Sequence, residues 1–127
     1  MKDICIIQES KPALLMEIGE SLGSSGVNIE GLSLSTLGNQ SIVHFLVNDE
    51  TSALKALHQA GINVASISDV FIFFKDKKQV TGIPGSFGGI CKILYENGLH
   101  INFGYPAENN RFVFGVDNIE KVRELLA

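Results

Sequence analysis

A repeat inside the chain constrains its fold more than any other feature. Displacing the sequence by 72 positions lays Pro12 on Pro84, Leu15 on Phe87, Ile18 on Ile90, Leu22 on Leu94, Gly26 on Gly98 and Ile29 on Ile101, and five of these six pairs are identities. After a three-residue deletion the match resumes at an offset of 69, pairing Val43 with Phe112, Phe45 with Phe114 and Val47 with Val116. Self-similarity at a fixed spacing means that one supersecondary unit is used twice. The sequence therefore reads as two copies, residues 1–68 and 69–127. The second copy is shorter, because the stretch that follows Gly61 in the first has no counterpart after Leu126.

Periodicity gives each copy its elements. Residues 4–8 are a β-branched run of strand length. Pro12 then stands where a helix tolerates proline, and Leu15, Ile18 and Leu22 follow at helical spacing up to Gly26. Residues 27–35 and 41–47 read as two strands around Gly38-Asn39. A second helix starts at the capping residue Asp49 and ends at Gly61, and residues 62–67 read as a fourth strand. Strand, helix, strand, strand, helix, strand is the split βαβ order of ferredoxin-like folds. The second copy repeats it with strand 70–74, helix 84–96, strands 99–105 and 111–116, and helix 118–126, without the last strand. The expected class is α+β, two βαββαβ repeats with sheets paired side by side. Val43, Phe45 and Val47 should face the helices and Ile42, His44 and Leu46 the other side. An apolar row on that second face calls for a cover. Together with the missing strand it points to a homodimer.

Composition narrows the function. Ten Lys and Arg stand against fourteen Asp and Glu, for a net charge of −4, and only Lys75-Asp76-Lys77-Lys78 concentrates basic residues. A nucleic-acid partner needs a basic face to displace counterions, so none is expected. With 45% apolar and 19% charged residues the chain can bury a core. No apolar run reaches the length of a membrane helix, and the N-terminus lacks the regions of a signal peptide. No membrane association is expected, and the cytoplasm is the expected location. Cys5 and Cys91 are too few for a disulfide framework or a zinc site and read as reduced core thiols.

The sequence around each first helix is similar to the ACT domain, a small-molecule-sensing fold. The pattern is a strand, a short loop, Pro and a small residue, an apolar-periodic helix, then Gly26-Val27-Asn28-Ile29. The second copy carries Pro84-Gly85-Ser86-Phe87 and Asn97-Gly98-Leu99-His100-Ile101-Asn102. Two consecutive copies resemble stand-alone tandem ACT proteins. The resemblance implies an amino acid or similar small metabolite bound at the seam between ACT units. The family draws ligand contacts from the loop before the first helix and from the Asn-Ile element of the second strand. Carried over by motif, those positions are Lys11, Pro12, Ala13, Leu14, Asn28 and Ile29, then Pro84, Gly85, Ser86, His100 and Ile101. Free backbone N–H groups at a helix start favour a carboxylate, and a side-chain amide can accept from an ammonium. The chain departs from the pattern at Lys11-Pro12-Ala13, where the family has an acidic residue and Pro-Gly, and at His100, which stands where the first copy has Asn28. The second copy also inserts residues 76–83 before Pro84, expected to be a lid over its site or a partner contact.

Other features read more plainly. His44 fits an interface or solvated histidine, and His58 stands near a helix end. No histidine pairs with Ser or Cys and a carboxylate at a recognisable spacing, so no catalytic residue, metal site or cofactor is expected and the chain reads as a non-enzyme. Gly82 to Gly89 lacks the ending of a phosphate loop and reads as a tight turn into a helix. Gly88-Gly89 inside that helix suggests that a backbone or a ligand packs closely there. Phe71 to Phe74 reads as a core strand buried on both faces, and Asn109-Asn110 as a plain turn. Two functions follow. One is a regulatory protein that binds a small metabolite; the alternative is a ligand-independent interaction module or regulatory subunit clamped to a protein partner, such as a metabolic enzyme or regulator.

Overall fold

The computed structural model describes residues 1–126 and divides into two compact units, Met1–Ser68 and Asp69–Ala127. In the first, β1 (Lys2–Glu9), α1 (Leu14–Ser24), β2 (Gly31–Leu37), β3 (Gln40–Val47), α2 (Glu50–Gln59) and β4 (Ser66–Asp69) follow in order. The strands lie β4-β1-β3-β2, with β3 antiparallel to both neighbours. The alternating residues Ile4, Ile6, Val43, Phe45 and Val47 form one floor of the core. Leu14, Ile18 and Leu22 descend on it from α1 at helical spacing, and Ala53, Ala56 and Leu57 from α2. Asp49 caps α2 by accepting a hydrogen bond from the Ser52 amide at 3.0 Å.

The second unit contains β5 (Phe71–Phe74), α3 (Ser86–Glu96), β6 (Ile101–Ala107), β7 (Arg111–Val116) and α4 (Ile119–Leu126). The strands lie β6-β7-β5, all antiparallel. Phe71 faces Phe114 and Phe73 faces Phe112 across the β5–β7 ladder. These rings meet Leu94 of α3 and Val122 and Leu126 of α4. A bulge between Ile101 and Phe103 shifts the register of β6 against β7 and sets Phe103 opposite Gly115.

Three helices end in the same way. Gly26, Gly61 and Gly98 take φ of +73°, +74° and +73°. The next residue, Val27, Ile62 or Leu99, donates its amide back to Leu22, Leu57 or Leu94 at 2.9–3.0 Å and buries its side chain. This is the glycine-terminated Schellman arrangement with its apolar contact.

That cap corrects two expected strand boundaries. Residues 27–30 alternate in apolarity, but Val27 closes α1 with its amide, the chain first reaches β3 where the Glu30 amide donates to the Leu46 carbonyl at 2.9 Å, and β2 begins only at Gly31. Ile62 likewise closes α2, and the β4 ladder is approached at Ala65, whose amide donates to the Cys5 carbonyl at 2.8 Å. The second face of the first sheet is mixed. Ile7 and Ile42, paired in register, are 51% and 40% exposed, while Cys5 and Leu46 are buried. His44 is half-buried and shares a hydrogen bond of 2.9 Å from Nδ1 with the fully buried Asp3 carboxylate. Phe71 to Phe74 is not buried on both faces: Phe71 and Phe73 are core, and Phe74 is 41% exposed. Around Gly88-Gly89 a Cβ at either position meets nothing of this chain within 4 Å outside the helix itself, so no other described backbone of the chain packs on that turn. No helix among the described residues is long and apolar enough to cross a membrane.

Candidate functional site

The predicted ligand positions of the first unit fall at the two ends of α1. Lys11 and Pro12 are exposed before it, and the Lys11 ammonium reaches Glu17 Oε2 at 2.6 Å. Ala13 is the N-cap without a side-chain cap bond, and Leu14 buries its side chain in the core. Asn28 is exposed and Ile29 packs on the core, both beyond the other end of the helix. An 11-residue helix is about 16 Å long at 1.5 Å per residue, so one unit does not bring these two groups together. The second unit repeats the separation. Pro84, Gly85 and Ser86 open α3, which also has 11 residues, while His100 and Ile101 follow it. His100 is exposed and its amide donates to Asp117 Oδ1 at 3.1 Å. Ile101 packs against the core.

A cavity of about 400 Å³ lies inside the second unit, where β5, β7, the start of α3 and the inserted segment meet. Pockets of this size hold small molecules. Its wall is aromatic. Phe87, from the first turn of α3, is 5.1 Å from Phe112 and stacks on Phe114 at 6.2 Å, and the Phe112 and Phe114 centroids are 4.8 Å apart. Phe73 and Ile90 extend the same surface. Phe87 is 51% exposed although it borders the cavity, which places it at the mouth. Of the predicted residues, Ser86 lines this cavity.

The inserted segment forms the opposite rim through Val80, Thr81 and Gly82. A triangle of polar groups holds it. Asp76 Oδ1 accepts from Asn110 Nδ2 at 2.6 Å and from Thr81 Oγ1 at 3.0 Å, and Asn110 Nδ2 also donates to Thr81 Oγ1 at 2.7 Å. Ser86 Oγ donates to the Val80 carbonyl at 3.2 Å, tying the rim to α3. Asn110 therefore does more than turn the chain. With Asn109 it takes positive φ, 55° and 60°, a region open to asparagine, and this aims its amide at the insertion.

Lys75 lines the cavity from the end of β5. Its ammonium lies 5.9 Å from the Phe112 ring centroid, within reach of a cation–π attraction. Sequence reasoning missed Lys75, Thr81, Asn110 and Phe112. The insertion relative to the first copy was the one available signal. Among the described residues no group of three His, Cys, Asp or Glu side chains could hold a metal ion. The lining offers apolar surface, two hydroxyls, one amide and one ammonium, which are means of binding a ligand.

No known family profile and no curated protein matches the chain. Solved structures do. Protein BT0572 from Bacteroides thetaiotaomicron superposes with a TM-score of 0.79 at 27% identity, over 98% of this chain and 85% of that one. The ligand-free regulatory subunit of aspartate kinase from Thermus thermophilus gives 0.73 at 16% identity, over 98% and 87%. The corresponding subunit from Thermus flavus gives 0.67 at 15%, over 98% and 89%. The chain accordingly has an ACT-like α+β fold.

Proposed function

We propose that this chain is a regulatory protein of two ACT-type repeats, residues 1–68 and 69–127, that binds a small metabolite of the amino-acid class. The observation that carries the reading is the aromatic-walled cavity at the start of α3, bordered by Ser86 from the predicted ligand loop and by the insertion 76–83. The aspartate kinase relatives are regulatory subunits; at their level of identity they support the reading through fold alone. The helix-end positions fit the same scheme when a ligand takes contacts from two ACT-type units, since residues 11–14 and 28–29 stand at opposite ends of one helix, as do 84–86 and 100–101. The reading also holds the second repeat to be the shorter by its last strand, the protein to be cytoplasmic, and the Ile7–Ile42 face to serve a homodimer.

The test is a thermal-shift screen of the chain against the twenty amino acids and their small-acid relatives, repeated with Asn28→Ala, Ser86→Ala and His100→Ala. A ligand that binds only the native state stabilises it by about 2.7 kcal/mol at one hundred times its Kd. A selective shift that one variant abolishes is the expected result. No shift with any compound overturns the reading in favour of a ligand-independent regulatory subunit.

A further inference from the structure

The charges around the cavity are one-sided. Lys75 is the one charged residue that lines it, and among the described residues its ammonium has no carboxylate partner. Asp76 follows it in sequence but is not part of the lining: it stands behind the rim, with Oδ1 engaged by the lining residues Asn110 and Thr81. Thr81 in turn gives its hydroxyl proton to Asp76, and Ser86 gives its own to Val80. A zwitterionic ligand would bring an ammonium against an aromatic wall whose lining includes no carboxylate, the nearest, Asp76, being already engaged through Oδ1, and an uncompensated charge out of water is costly. A monoanion would meet Lys75 and leave no charge unmatched. The rest of the wall, Phe73, Phe87, Ile90, Phe112 and Phe114, suits a flat or branched hydrocarbon body.

From this geometry we infer that the cavity of the second unit selects a small apolar monocarboxylate, aromatic or branched, with Lys75 as the group that reads the carboxylate and nothing that reads an α-ammonium. The inference rests on the proposed ligand-binding role and changes the ligand class within it. Thr81 and Gly82 at the rim then admit the ligand, and the Asp76, Asn110 and Thr81 bonds keep the rim in place.

The experiment is calorimetric titration of the chain with three compounds that share one hydrocarbon body: 3-phenylpropanoate, L-phenylalanine and 2-phenylethylammonium. The branched set 4-methylpentanoate, L-leucine and 3-methylbutylammonium is run beside it. The carboxylates should bind about tenfold or more tightly than the matching amino acids, and the ammonium compounds should not bind. Lys75→Met should lose about tenfold or more in carboxylate affinity and Lys75→Arg should keep most of it, with unchanged urea midpoints in both variants. Amino acids binding as tightly as the carboxylates would overturn this inference and leave the regulatory reading standing. Carboxylate binding that Lys75→Met does not weaken would overturn it equally. A chain that binds neither set, nor any compound in the thermal-shift screen, would overturn both.

Discussion

Gly88→Ala and Gly89→Ala are expected to stabilise the protein, although both glycines stand beside the cavity wall. Each lies in α3, and a Cβ built at either meets no atom within 4 Å outside the helix itself. The substitution therefore costs no packing, and what remains is backbone entropy, for which alanine is better than glycine in a helix by about 0.5–1 kcal/mol. Together the two should contribute about 1–2 kcal/mol, with some reduction because they sit in the first turns. At an m-value of about 2 kcal/mol per molar, this raises the urea midpoint by about 0.5–1 M with m unchanged. Gly115→Ala is the counterpart. There the Phe103 ring occupies the space a Cβ needs, so the same chemical change forces the ring or the strand to move and should cost about 1–3 kcal/mol. Urea unfolding followed by far-UV circular dichroism reads all three variants. If Gly88→Ala or Gly89→Ala lowers the midpoint, the turn is packed against something and the open-space reasoning is wrong.

The other expectations can be checked with ordinary means. Leu22→Ala and Leu94→Ala remove fully buried side chains from the two cores and should each cost about 2–5 kcal/mol in urea unfolding. The Ser52 amide bond holds the Asp49 carboxyl below its usual range, so its contribution is complete above the unfolded value and is lost as pH falls through the lowered one. The gap in urea midpoint between the native chain and Asp49→Ala should accordingly be full at pH 7 and narrow in acid. Burial raises the Cys5 thiol, assisted by the Asp3 charge, and burial raises Cys91. Both should react with a disulfide reagent at pH 8 more slowly in the folded chain than in urea. Asn110→Ala removes two bonds to the insertion, and hydrogen exchange should show faster amides over residues 80–83.

Legibility in the sequence followed the range of the interaction. The positions of α1 and α3 could be read because Ile18, Leu22 and Leu94 obey a local helical period and Gly26 and Gly98 mark a local cap. The ends of β2 and β4 were misplaced for an equally local reason. Val27 and Ile62 bury their side chains while their amides close a helix, and Ile29 and Val64 pack on the core two residues later, so the two stretches imitate a strand. Phe74 matched its buried neighbours in hydrophobicity, and only the alternation of β5 exposes it. The site was legible where one residue type sits at a fixed place, as Ser86 does at the start of α3. It was illegible where partners lie far apart in the chain. Asp76 and Asn110 are separated by 34 positions and Asp3 and His44 by 41, and nothing in a single sequence couples them. Lys75 belongs to the same class, since its neighbour Phe112 comes from a different strand.

Amide chemical-shift mapping bears most directly on the central claim, that the second unit holds a small-molecule site beneath its inserted segment. The ¹⁵N-labelled chain would be titrated with 3-phenylpropanoate and L-phenylalanine, the two probes that separate the ligand classes. Saturable shifts concentrated at Lys75, residues 80–82, Ser86, Phe87 and Asn110 are the predicted result. Saturable shifts confined to other residues, or none with either compound at millimolar concentration, would contradict it.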